Sequence, residues 1–138
     1  MIHAPSVFLP LLLAGVATAS LAGPRDDVLA RYAGEARAAD PAFTAFAADR
    51  GEALHRTRHA GGKPDTPACT ACHGENPRAA GRTRSGKAID PMAASVTPAR
   101  YTDPAKVEKW FKRNCGEVLG RECTAREKGD WLAWMMNR

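Results

Sequence analysis

Cys69-Thr70-Ala71-Cys72-His73 decides how the rest of this chain is read. Two thiols share one helical turn, and an imidazole follows at once. That is the spacing of covalent c-type haem attachment. Each thiol can reach one vinyl group of the macrocycle, while the histidine offers its ring to the iron as proximal ligand. The motif is short enough to arise by chance, so its surroundings must be weighed. A thioredoxin-like dithiol wants a βαβ setting, and none is visible. A zinc site wants two further ligands at short spacing.

The composition favours the haem reading. The chain has 138 residues, of which 44% are apolar. Much of that fraction is alanine, and much of the rest precedes residue 23. From Gly23 to Arg138 only 12 of 116 residues are Leu, Ile, Val or Phe, and adding Met, Trp and Tyr brings the count to 20. This lies below the ~20% under which a charged chain is expected to stay disordered. The length allows one domain. A large side-chain core, a multi-domain enzyme and a membrane bundle are excluded. A covalently held, largely apolar macrocycle, one haem c, can supply the missing core.

Residues 1–22 carry no Lys, Arg, Asp or Glu. Val7 to Ala19 is an apolar run, and Ser20-Leu21-Ala22 places small residues where signal peptidase cuts, before Gly23. The start, Met1-Ile2-His3, lacks a basic residue. The alternative is an uncleaved anchor, but Pro10 and Gly15 weaken a spanning helix. The expectation is a signal peptide over 1–22 and a monohaem cytochrome c domain over 23–138, delivered to the periplasm, where disulfides persist. The net charge of +5 falls entirely after the cut. It is dispersed, suits acidic partner proteins, and forms no block dense enough for nucleic acid.

Cys115 and Cys123 are eight positions apart, with Gly116 and Gly120 between them. In an oxidising compartment a disulfide closing this small loop is expected, contributing roughly 2–3 kcal/mol by chain entropy. A second metal site and two free thiols are the alternatives.

The remaining pattern is helical. A first helix is expected over 26–38 and a stronger one from Pro41 to about Arg58, with Asp40 as cap and Phe43, Phe46, Ala47 and Leu54 near one face. Residues 74–102, rich in Gly and Pro, read as a long loop that wraps the haem edge. Asp103-Pro104 opens a helix whose Val107, Trp110, Phe111, Asn114, Cys115 and Val118 share a face. Thr124-Ala125-Arg126-Glu127 is a capping box opening the last helix. No strand pattern is seen. The expected fold class is all-α, a small cytochrome c-like helical domain wrapped around one covalent haem.

Function turns on the far side of the iron. Met92, Met135 and Met136 read as packing residues, and His55 and His59 as exposed residues of an arginine-flanked helix. Asn114 lies on the apolar stripe beside Cys115; the plain reading is a helix-end residue bonding to backbone. Arg78, Arg82, Arg84, Lys87 and Arg100 read as solvated surface, with haem propionates as the alternative.

A resemblance shifts these weights. The stretches Gly86–Met92, Arg100–Asp103, Lys106–Cys115, Val118–Thr124 and Glu127–Asp130 resemble the sphaeroides haem protein family, oxygen-binding monohaem cytochromes c related to cytochrome c-double-prime. The likeness covers roughly residues 40–136. Its specific element is the residue preceding the first disulfide cysteine, which is the distal ligand in that family and is Asn114 here. The resemblance implies that Asn114 binds ferric iron and leaves on reduction, opening a site for O₂ or NO. It also implies electron exchange with a dihaem cytochrome c and a membrane b-type cytochrome; a monomer is expected. A hard amide oxygen suits Fe(III) better than Fe(II). The competing reading is a low-spin electron carrier with Met or His as sixth ligand. No general acid–base pair stands out, so enzymatic action beyond slow reductive chemistry on the bound gas is not read from the chain.

If the macrocycle is the core, a haem-free chain should lack a cooperative fold. A Cys69→Ala/Cys72→Ala variant purified without haem is expected to show no sharp thermal transition by circular dichroism; a cooperative melt would contradict the reading.

Overall fold

Helices begin where the sequence supplies a cap. The computed structural model describes Met1 and residues 23–138; the signal segment expected at 1–22 falls, but for Met1, outside the described residues. Helix α1 (Pro24–Ala39) starts on a proline, with the Gly23 amide donating to the Asp26 carboxylate at 2.7 Å. Helix α2 spans Ala48–Arg56, and α3, the motif turn, spans Thr70–His73. Helix α4 (Pro104–Leu119) is capped by Asp103, which accepts from the amides of Ala105 and Lys106 at 3.0 and 3.1 Å. Helix α5 (Ala125–Met136) opens on the reciprocal box: Glu127 N–H donates to Thr124 Oγ1 at 3.2 Å, and Thr124 N–H to the Glu127 carboxylate at 2.8 Å.

Two expectations need correction. The second helix starts at Ala48, not Pro41. Asp40 does accept from the Ala42 amide at 2.9 Å. The chain then stays open as Phe43 and Phe46 pack against each other with tilted rings (5.0 Å between centroids), Phe46 lying against Gly129 of α5. The working cap comes from across the fold, where the Asp130 carboxylate accepts from the Ala47 amide at 2.7 Å. The second correction lies in the long loop. It holds a small antiparallel hairpin, β1 (Gly81–Arg82) with β2 (Ala88–Ile89), Gly81 facing Ile89. Two residues per strand are too few to show an alternating pattern.

Helices α1, α2 and α5 form the body. Val28 and Tyr32 of α1 pack with Trp131, Leu132, Trp134 and Met135 of α5 and with Met92 and Val107. Gly51 of α2 lies directly on the Asp130 carbonyl, where a Cβ would collide. Glycine therefore sets how closely these two helices cross. Helix α4 attaches differently. Phe111 meets Tyr32 and Trp131 edge-on at 6.1 and 5.6 Å. Glu108 accepts from the Tyr32 hydroxyl, from Arg31 at 2.7 Å and from Lys128 at 2.9 Å. The Cys115–Cys123 disulfide is formed, with Cα atoms 5.6 Å apart. Among the described residues no helix is long and apolar enough to cross a membrane.

Burial alone would push the Glu108 carboxyl upward, but hydrogen bonds from Tyr32 and Lys128 and the charges of Lys128 and Arg31 bring it below its ordinary range. A depressed carboxylate adds stability above its unfolded pKa of roughly 4.3 and loses it as pH falls through the folded value. Glu108→Gln is expected to cost about 1 kcal/mol at neutral pH, the low end for charged hydrogen bonds because this side chain is 35% exposed. Urea denaturation at a series of pH values should show the gap to wild type closing in acid; a gap independent of pH would refute the clamp.

Candidate functional site

The motif turn is held by its own backbone. His73 and Cys72 amides donate to the Cys69 carbonyl at 3.0 and 3.3 Å, and Gly74 N–H donates to Thr70 O at 3.0 Å. Strand β1 presses on this turn: a Cβ on Gly81 would run into the Cys72 carbonyl and crowd the His73 Cα. The turn is thereby covered on the side of the hairpin.

Cys69, Cys72 and His73 open into one apolar cleft. Helix α4 supplies Val107, Trp110, Phe111 and Asn114 to it, and Leu54, Met92, Tyr101 and Trp131 complete the apolar walls. Burial pushes the Cys69 thiol up to about 11. Burial, then the charges of His55 and Arg100, push His73 down to about 4. At neutral pH the imidazole is uncharged, the state that ligates metal. Its Nδ1 is buried without a protein hydrogen-bond partner. Two thiols on one turn, a neutral imidazole and apolar walls fit a haem. Among the described residues no group of three His, Cys, Asp or Glu gathers to hold a metal.

Asn114 lines the same cleft as His73 and is half-buried. It lies within α4 rather than at its end, since the helix continues to Leu119. Met92 also lines the cleft and is buried, while Met135 is fully buried in the core and Met136 borders it. Three of the five basic loop residues are engaged by neutral protein groups: Arg100 donates to the carbonyls of Pro91 and Asp90, Arg78 to Ser95 Oγ, and Arg82 to Gly86 O. Arg84 pairs with Asp65 at 3.9 Å, and Lys87 is exposed.

His55 departs from its reading as an exposed residue. It is 0% exposed, 6.4 Å from the His73 ring and 5.0 Å from Trp134 between centroids. Trp131 Nε1–H donates to its Nδ1 at 3.3 Å, so its Nε2 carries the proton and donates to Gly74 O at 2.9 Å. Burial lowers its pKa. With both nitrogens engaged, it fixes the backbone just beyond His73. His59 is half-buried, its Nε2 3.2 Å from Leu54 O. Tyr101 is the other residue the sequence did not single out. It holds φ 64, rare for a bulky side chain. Its hydroxyl donates to Met92 O at 2.6 Å, and its ring meets Trp131 edge-on. Its position just before the Asp103 cap was the only available hint.

Helices that gather a C-x-x-C-H turn and a candidate axial ligand around one apolar cleft define a haem cytochrome of the c type. The chain belongs to the family of the cytochrome c-type protein SHP. It is 50% identical over 129 residues to that protein from Cereibacter sphaeroides, covering 94% of this chain and 95% of the relative. It is 31% identical over 107 residues to cytochrome c'' of Methylophilus methylotrophus, covering 77% and 74%. Residues 41–135 match a domain of unknown function, DUF1924. The structure of oxidized SHP, an oxygen-binding cytochrome c, agrees with a TM-score of 0.77 at 47% identity, over 83% of this chain and 96% of that one. Oxidized cytochrome c'' gives 0.71 at 29% identity, over 82% and 93%.

Gly81→Ala should force the hairpin off the motif turn. Overpacking of this kind costs about 1–3 kcal/mol. The haem-loaded variant is expected to melt at least about 4 °C below wild type; an unchanged melt would show that the contact is not tight.

Proposed function

We propose that this chain is a periplasmic monohaem c-type cytochrome that binds a small diatomic ligand, O₂ or NO, under redox control. The observation that carries this reading is Asn114 in one cleft with Cys69, Cys72 and His73. When bound, the haem supplies a one-electron couple and an iron position for the gas. Cys69 and Cys72 would hold it by thioethers, and His73 would ligate its iron. Asn114 offers its amide oxygen to the oxidised iron. Being a hard, weak donor, it leaves on reduction. Its freed amide N–H can then donate a hydrogen bond toward the entering ligand. Phe111, Val107 and Trp131 keep water from the pocket. His55, held neutral by burial, keeps the chain beyond His73 in place. Electrons are exchanged with other cytochromes, a dihaem cytochrome c and a membrane b-type cytochrome, and residues 1–22 direct export. The SHP relative, described as oxygen-binding, supports the choice of ligand.

Met92 shares the cleft, which favours one second reading: a low-spin electron carrier with Met92 as sixth ligand. Spectra separate the two. The reduced protein is expected to be high-spin and to respond to CO. Asn114→Val should turn the ferric form high-spin or water-ligated, whereas Met92→Leu should leave it as it was. Sharp low-spin reduced bands that ignore CO would support Met92, and an unchanged ferric spectrum in Asn114→Val would remove Asn114 from the site.

A further inference from the structure

Helix α4 has two faces. Val107, Phe111 and Asn114 point their face at the cleft. Elsewhere on the helix Lys106, Lys109, Lys112 and Arg113 are all exposed around Trp110. Trp110 belongs to both: it lines the cleft, yet is 43% exposed. Lys109 Nζ and the Arg113 guanidinium lie 6.0 and 5.6 Å from its ring centroid.

Glu122 is exposed beside Lys109 and Lys112, and the two other carboxylates near this face have partners of their own. Glu108 is taken up by Tyr32, Arg31 and Lys128. Glu117 is shared between Arg113 at 3.4 Å and Lys63 at 3.2 Å. Lys106, Lys109 and Lys112 make no ion pair among the described residues. An exposed tryptophan beside Lys109 and Arg113, on a helix face with three lysines outside any ion pair, has the make-up of an interface anchor within a steering field. Unlike a merely solvated helix face, it reaches into the site.

We propose that this face docks an electron-transfer protein with an acidic surface, and that the electron enters beside Trp110. The proposal rests on the haem reading above. One electron leaves the partner's reduced centre, which is oxidised, and the ferric iron becomes ferrous; no bond forms and no proton moves. Complementary charge sets the encounter rate, and the indole supplies the apolar contact that holds the docked pair.

The test uses the haem-loaded protein and two reductants, followed by stopped flow. One is a reduced acidic [2Fe–2S] ferredoxin of plant type; the other is photoreduced lumiflavin, small and neutral. With ferredoxin the wild-type rate should fall steeply with salt. Lys109→Glu/Lys112→Glu should slow it at least about tenfold at low salt and converge on wild type at high salt. Trp110→Ala should slow it at high salt as well. Arg37→Glu/Arg58→Glu makes the same charge change at two exposed positions off this face and should alter the rate less than about twofold. All the charge variants should react alike with lumiflavin. Equal slowing by both charge pairs, or none by the α4 pair, would overturn the docking face. So would loss, in the α4 pair alone, of binding to anionic phospholipid vesicles or duplex DNA with the ferredoxin rate unchanged. A preparation with no iron for lumiflavin to reduce would overturn the haem reading itself.

Discussion

Asp130 is a carboxylate only 4% exposed. A charge buried this deeply is tolerated only when its lone pairs are met. Here the Ala47 amide and the fork of Arg50 meet them, at 2.7 to 2.9 Å. The pair fixes where α2 begins and locks it across α5 at the point where Gly51 touches the Asp130 carbonyl. From there the geometry of the site follows. The locked α2 carries His55 under Trp131 and Trp134, and His55 in turn holds the carbonyl of Gly74. The side of the cleft that carries His73 is thus built from an ion pair made some distance along the chain.

Scarcity of large apolar residues shapes the rest. The buried ones are most numerous in α5, where Trp131, Leu132, Trp134 and Met135 are all enclosed. The other elements lean on that helix in different ways. Helix α1 contributes Val28 and Tyr32 to the common core. Helix α4 is held by edge-on aromatics, the Glu108 cluster and the disulfide, and leaves an apolar cleft between itself and the body. The cleft is the space that so few side chains leave for a cofactor.

Much of this was legible in the residues. Asp103-Pro104 and the Thr124–Glu127 box mark helix starts through local chemistry, and local chemistry survives folding. The C-x-x-C-H turn, the neighbouring Asn114 and Cys115, and the Cys115–Cys123 pairing were visible for the same reason. What escaped notice depends on distant partners. The cap of α2 sits on Asp130, so Asp40 and Pro41 pointed to the wrong start. His55, between arginines of its own helix, reads as surface until two tryptophans from α5 close over it. The hairpin over 81–89 rests on a glycine whose only task is to let backbone touch backbone. The left-handed Tyr101 obeys no pattern and is held by its hydroxyl on Met92.

The pressing of β1 onto the motif turn has a consequence for the order of assembly. In this fold the hairpin lies on Cys72 and His73, and burial raises a free Cys69 thiol to about 11, which keeps it protonated and poorly reactive. A chain already in this shape would offer poor access to a haem-attaching enzyme. A cofactor joined through these thiols, as proposed above, would therefore be attached most readily before the hairpin closes on the turn.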